Sequence, residues 1–111
     1  MGMNAQLFAI GRYNSDLKRD LDYPSHYYND LKEDVIIMTE FVRCNTSDQS
    51  YQLSNALGID PWDFNKHFIP NKKAKEISIE ALDLNFTGGS LCEKFDTFVK
   101  YGFSFIYIPN G

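Results

Sequence analysis

Cysteine is scarce in this sequence of 111 residues, and long apolar runs are absent. The two cysteines, Cys44 and Cys92, are too few for a disulfide framework, and no Cys-x-x-Cys pair or Cys/His quartet predicts a zinc site. No apolar stretch approaches the roughly 20 residues that span a bilayer, and the N-terminus lacks a basic run followed by an apolar segment. We therefore expect reduced thiols, no metal or cofactor, no membrane association and a cytoplasmic location.

Positive charge is also in short supply, because 11 Lys and Arg residues are outnumbered by 15 Asp and Glu residues, leaving a net charge of −4. The basic cluster Lys72, Lys73 and Lys75 lies in a predicted surface loop, so the sequence argues against nucleic-acid binding. Phosphate-binding loops, dinucleotide fingerprints, nucleophile elbows and His-Glu-x-x-His segments are all missing. These absences favour a protein that is not an enzyme, without excluding one.

The residues that are present are typical of one globular domain. Hydrophobic residues make up 43% of the chain and aromatic residues 15%, which is enough for a packed core. We expect a single domain over residues 1–111. Met1 and Gly2, which stand ahead of Met3, have the order of a cloning extension.

The stretch from Cys44 to Pro70 contains the clearest local signals. Thr46 and Gln49 have the spacing of a capping box, which predicts a helix beginning near Ser47. Gly58 follows the apolar residues of this helix, at the position where a left-handed residue usually ends one.

A second helix is predicted directly after this corner. Asp60 is a suitable N-cap, Pro61 suits the first helical position, and Asp63 suits the positive end of the helix dipole. We expect two stacked helices with three aromatic side chains between them. These are Trp62, Phe64 and Phe68.

Three stretches predict β-strands, namely residues 6–13, 35–42 and 103–108. The second has the strongest pattern, a continuous apolar run followed by alternation, and we expect it at the centre of the sheet. The third is apolar on both faces and should be buried on both.

A further helix is predicted after Asn14, and another over residues 77–86, which also fit a strand. A last helix is predicted to begin at a second capping box, formed by Ser90 and Glu93, and to end at Gly102. The expected fold is α+β, with about three antiparallel or mixed strands covered by about five short helices. The predicted core residues are Leu7, Ala9, Val35, Ile37, Phe41, Leu53, Leu57, Phe64, Phe95, Phe98, Phe105 and Tyr107.

The block Cys44–Ser50, continued by Ala56–His67, resembles a pattern found in small uncharacterised bacterial and phage proteins. The final Pro109, Asn110 and Gly111 resemble the end of those proteins as well. The resemblance implies a bacterial or phage origin and a shared single-domain fold. It implies no activity, ligand or catalytic residue.

Three residues are candidates for catalysis. Cys44 precedes a helix N-terminus, where the dipole can stabilise a thiolate and His26 or His67 could act as its base. The alternative is that Cys44 fills the core as a small apolar residue. Asp63 and His67 are four residues apart and could form an acid–base pair or hold a metal, although two ligands are too few for a metal site. Favourable electrostatics at the helix ends is the interpretation that the sequence favours.

Two groups of residues are candidates for binding. Asn45, Thr46 and Ser47 could hold an anion at the helix start, although the capping box explains the same residues. The chain is also rich in aromatics, of which Tyr27, Tyr28 and Trp62 could contact a partner instead of covering the sheet.

The sequence therefore favours a protein-binding module. Its most concrete form is a small acidic cytosolic protein that acts like an immunity protein or another inhibitor, with a protein partner. The alternative is a small enzyme or anion binder that uses Cys44.

Overall fold

Strands of one antiparallel sheet form the framework of the computed structural model, which describes residues 5–21, 32–77 and 91–109. The strands are β1 (Gln6–Arg12), β2 (Ile36–Arg43), β3 (His67–Ile69) and β4 (Ser104–Ile108). Their order across the sheet is β2-β1-β4-β3, so β1 and β4 are central and β2 and β3 form the edges. Every neighbouring pair is antiparallel.

Four helices are present in the described part of the chain. They are α1 (Ser15–Leu21), α2 (Ser47–Ala56), α3 (Asn71–Ala74) and α4 (Leu91–Lys100). The α+β class is confirmed, although the described residues form four strands and four helices instead of about three and about five. None of these helices, the longest of which have ten residues, is long and apolar enough to cross a bilayer.

Aromatic rings fill the core between the helices and the sheet. Phe95 of α4 stacks on Phe105 of β4, with ring centroids 4.5 Å apart. Phe41 of β2 meets both of these rings and Phe98 edge-on, at 5.8–6.0 Å. Leu7 of β1 lies in the same cluster and is fully buried. The predicted core residues Phe41, Phe95, Phe98 and Phe105 therefore pack against one another.

A β-bulge at Phe41 explains how β2 contributes to this core. Leu7 pairs with Val42 and the next residue, Phe8, pairs with Glu40, so Phe41 is an extra residue in the ladder. Because of the bulge, Phe41 and Val42 are both only 7% exposed although they are neighbours in sequence.

The predicted central position of β2 is wrong, because this strand forms an edge of the sheet. Val35, predicted in the core, is 40% exposed, and Ile36 and Met38 are 57% and 58% exposed. Ile37 packs on the core as a partly buried residue. A continuous apolar run fits a strand buried on both faces, but here one face of the run is open to solvent.

The predicted ends of α2 are confirmed. The Thr46 hydroxyl accepts a hydrogen bond from the backbone N–H of Gln49 at 3.2 Å, and the side-chain carbonyl of Gln49 accepts from the N–H of Asn45 at 2.9 Å. Gly58 has a φ of 73°, and the N–H of Ile59 donates to the Ser54 carbonyl at 2.8 Å. The left-handed glycine and this hydrogen bond are the features of a Schellman motif.

The second predicted helix of this block does not form. The carboxylate of Asp60 accepts from the N–H of Trp62, and that of Asp63 accepts from the N–H of Asn65, both at 2.9 Å. Each Asp thus closes a local turn with the residue two positions on, which competes with helical hydrogen bonding. Strand β3 then begins at His67.

The three aromatics predicted between two helices are exposed instead. Trp62, Phe64 and Phe68 expose 69%, 51% and 62% of their surfaces. Phe64 is therefore not the core residue that was predicted. Apart from the exposed Val35 and the partly buried Ile37, the other predicted core residues are buried, as expected.

The end of α4 agrees with the prediction. Gly102 has a φ of 85°, and the N–H of Phe103 donates to the Phe98 carbonyl at 3.0 Å. The rings of these two phenylalanines lie 5.0 Å apart. Residues 78–86 of the predicted helix over residues 77–86 lie outside the described part of the chain. Ser90, the first residue of the second capping box, lies outside it as well.

Candidate functional site

One face of the sheet points away from the four described helices, and we call it the open face. Leu7 and Ala9 of β1 and Phe105 and Tyr107 of β4 are buried on the helix side. Because side chains alternate along a strand, the residues between them point to the other side. The open face thus carries Phe8, Ile10, Ile36, Met38, Phe68, Ile106 and Ile108.

The register of the strands makes these side chains contiguous. Phe8 pairs with Ile106, and Ile106 pairs in turn with Phe68, so one apolar row crosses three strands. Ile10 pairs with Met38 in the next row. Directly paired side chains lie within contact distance on one face. Strand β4 is therefore half-buried on its outer side, not buried on both faces as predicted.

Polar residues border the apolar rows. Gln6 donates to the Glu40 carboxylate at 2.7 Å, and Arg43 forms an ion pair with the same carboxylate at 3.1 Å. Arg12, opposite Ile36, stands at the other end of the face. An apolar centre with a polar rim is the usual anatomy of a protein–protein interface.

The segment before β3 adds further exposed aromatic surface. Trp62, a predicted binding residue, lies with its ring 6.4 Å from that of Tyr51. Phe64 follows two positions later, and Phe68 belongs to the open face itself. An aromatic side chain has a surface of roughly 150–250 Å². With more than half of each exposed, these three aromatics together present roughly 300–400 Å² of surface to solvent.

A small cavity lies beside this segment and contains the predicted Asp63 and His67 pair. Their side chains are hydrogen-bonded at 2.8 Å, so the structure brings these two residues together. Asp63 also accepts from the Asn65 backbone, and this bond, with weaker help from His67, lowers the pKa of Asp63 below its usual 3.8. Helix-end electrostatics does not explain the pair, because the segment forms turns.

The chemistry available to this cavity is limited. It has a volume of about 220 Å³ and is lined by Asp60, Lys73 and apolar residues besides the pair. Among the described residues that line it, none is Ser, Thr or Cys, so the cavity offers the His67 imidazole no hydroxyl or thiol to activate. Within the described residues, no three His, Cys, Asp or Glu side chains form a metal-binding group.

Cys44 lies in the core at the end of β2 and is not exposed at all. Burial raises its pKa to about 11, and a hydrogen bond with Ser50 offsets this only in part. The thiol is therefore protonated at neutral pH, which opposes the nucleophile interpretation and fits a small core residue. It does not line the Asp63–His67 cavity.

The start of α2 is occupied by its own cap. The N–H groups of Asn45 and Gln49 already bond to side chains of the capping box. Thr46 is exposed, and Ser47 is half-buried. The cap therefore explains these residues without an anion. Tyr27 and Tyr28 lie outside the described residues.

Comparison with known protein families, curated proteins and solved structures gave no match to this chain. The resemblance of Cys44–Ser50 and Ala56–His67 to small bacterial and phage proteins therefore stays a prediction.

The sequence interpretation missed most of the open face. The sequence predicts apolar strands through Phe8, Ile10, Ile106 and Ile108 but assigns these residues to no particular face of the sheet. Each of these residues alternates along its strand with a residue of the core. Which of the two sets faces away from the core is decided only when helices cover one side of the sheet.

Proposed function

We propose that this protein is a protein-binding module that docks its partner on the open face and on Trp62 beside it. The observation that carries the proposal is the contiguous apolar row of Phe8, Ile106 and Phe68 within a polar border. Phe68 is 62% exposed, and Phe8 and Ile106 are half-buried beside it. A contiguous apolar patch that reaches the solvent is typical of an interaction site.

The shape and charge of the face favour a protein over other ligands. A sheet face is broad, whereas the described cavity beside it holds about 220 Å³ and suits only a small group. Glu40 neutralises Arg43 and leaves Arg12 as the one unneutralised arginine at the border of the face, which is far short of the basic patch that a nucleic-acid backbone requires.

In its concrete form, the module acts like an immunity protein or another inhibitor by covering a functional surface of its partner. The net charge of −4 favours a partner with a basic surface, since opposite charge accelerates association. The alternative, a small enzyme or anion binder at Cys44, has weaker support because that thiol is buried and protonated.

Parallel affinity purification with matched variants tests the proposal. Phe68→Asp changes an exposed residue of the open face, and Lys72→Ala changes an exposed residue of α3 as the control. We expect at least one protein that binds the unmodified chain and Lys72→Ala directly, and that Phe68→Asp and Trp62→Ala bind at least about tenfold more weakly.

Binding constants of the recovered protein should be measured by calorimetry, and its own activity should be assayed with and without the module. Loss of that activity at one equivalent supports the inhibitor form. Equal binding by Phe68→Asp and the unmodified chain, or recovery of no direct binder, would refute docking on the open face.

A further inference from the structure

A sulfur-containing side chain lies on the open face. The sulfur-containing residues in the described part of the chain are Met38, Cys44 and Cys92. Cys44 is buried in the core, and Cys92 is half-buried on α4, which lies on the other side of the sheet. Met38 is 58% exposed and pairs with Ile10 in an apolar row of the open face. Among the described residues, it is therefore the sulfur that an oxidant in solution meets on the proposed docking surface.

The position of Met38 on β2 leaves its thioether accessible. β2 is an edge strand, and in the described part of the chain it pairs with β1 alone. Met38 therefore has a neighbouring strand on one side only. Ile36 and Glu40, which flank it on the same face of β2, are exposed as well. Exposure of the sulfur to the oxidant favours its oxidation.

The surroundings of Met38 are poorly suited to an added polar oxygen. Ile10 and Ile36, its neighbours across and along the sheet, offer no hydrogen-bond donor from their side chains. Glu40, the next residue of this face along β2, is an acceptor when ionised and cannot donate to an oxygen. Arg12, opposite Ile36, donates to a backbone carbonyl at 3.3 Å instead. A sulfoxide oxygen on Met38 thus depends on water for its hydrogen bonds.

We propose that Met38 is a peroxide-sensitive modification site whose oxidation to the sulfoxide releases the partner from the open face. The inference rests on the proposed function, because it concerns the regulation of that docking surface. A lone pair of the sulfur attacks one oxygen of hydrogen peroxide, and an S–O bond forms as the O–O bond breaks. The departing hydroxide takes the proton from the transferred oxygen and becomes water. The sulfur loses two electrons and the peroxide gains them.

The effect on docking follows from the change in polarity. Methionine is enriched in protein interfaces, where its thioether packs among apolar side chains. The sulfoxide oxygen is hydrated in the free chain, but docking removes that water and supplies no donor in an apolar contact. A buried acceptor without a partner weakens binding by about tenfold or more. A sulfoxide reductase reverses the change, because a dithiol is oxidised to a disulfide and the oxygen leaves as water.

Treatment of the free chain with hydrogen peroxide at pH 7 tests the modification site. We expect peptide mass spectrometry to find one added oxygen on Met38, at nearly the rate of N-acetylmethionine amide in the same solution. The urea midpoint of the oxidised chain should be unchanged, because the side chain is more than half exposed. Oxidation of Met38 more than about tenfold slower than that of the model compound would overturn the proposal.

Calorimetry with the protein that the unmodified chain captures in the affinity purification tests the release. The oxidised chain should bind it at least about tenfold more weakly, and repair by the reductase should restore binding. Met38→Gln, which places a polar group there without oxidation, should bind weakly before any treatment. Met38→Leu keeps an apolar side chain without sulfur, so its affinity should be the same before and after peroxide.

The Met38→Leu comparison separates Met38 from every other oxidisable residue, including Cys92 and Trp62. Equal binding by the oxidised and untreated chains would overturn this proposal and leave the proposed function standing. An equal loss of binding by Met38→Leu on treatment would overturn it as well, because the loss would then come from another residue. Failure of the untreated chain to capture any direct binder would overturn both proposals.

Discussion

Substitution of Phe41 gives the most direct test of the core. Phe41 is the bulged residue of the edge strand β2, and its ring packs against the aromatic cluster. Its ring is 7% exposed and meets Phe95, Phe98 and Phe105 edge-on at 5.8–6.0 Å. Truncating a buried Phe to Ala costs about 3–5 kcal/mol. Each aromatic pair adds about 0.5–1.5 kcal/mol beyond area burial, so we expect Phe41→Ala to fall in the upper half of that range.

Urea unfolding of the purified variants measures this loss. Phe64→Ala is the matched control, because it removes the same atoms from a side chain that is 51% exposed, and it should change the free energy of unfolding by no more than about 0.5 kcal/mol. Similar denaturant slopes would show that the variants share one unfolding reaction. A cost below about 1 kcal/mol for Phe41→Ala, or one equal to that of Phe64→Ala, would refute the bulge and core assignment.

Four further measurements follow from the local structure. Gly58→Ala should lower the free energy of unfolding by about 1–2 kcal/mol through its positive φ alone, since no atom lies within 4 Å of the added methyl group, and Gly58→Asn should lower it less. Thr46→Ala should cost about 0.5–2 kcal/mol, and a much smaller loss would contradict the cap. A thiol reagent at pH 8 should label Cys92 well before the buried Cys44, and equal rates would contradict the burial. Folding lowers the pKa of Asp63, so its carboxylate contributes stability above pH 3.8, and this contribution is lost as the pH falls below that value. Asp63→Asn should therefore be less stable than the unmodified chain at pH 7. The difference in unfolding free energy between the two should shrink in acid.

Features decided by neighbouring residues could be predicted from the sequence. The cap at Thr46, the left-handed Gly58 and the Gly102 end of α4 each depend on residues within one helical turn, and all three formed as expected. The aromatic core could be predicted as well, since Phe95 and Phe98 recur on one helical face.

The arrangement of the strands could not be predicted in the same way. An apolar run such as Val35–Met38 is compatible with a central strand and with an edge strand whose outer face is apolar. The pairing of β1 with β4 joins residues about a hundred positions apart, which no local pattern reports. The open face, and with it the proposed function, depends on that pairing.

Of the candidate site, the sequence predicts Trp62, Asp63 and His67 but not their geometry, and the reason lies in the two aspartates before β3. Asp60 and Asp63 suit a helix N-terminus, but the same carboxylates can bond the N–H two residues on, and both do so here. Without a helix to continue, the chain extends into β3. The aromatics that would have packed between two helices, Trp62 among them, therefore remain on the surface. The hydrogen bond between Asp63 and His67 then connects the last turn to the first residue of β3, so the same local competition that exposes the aromatics also anchors the strand beside them.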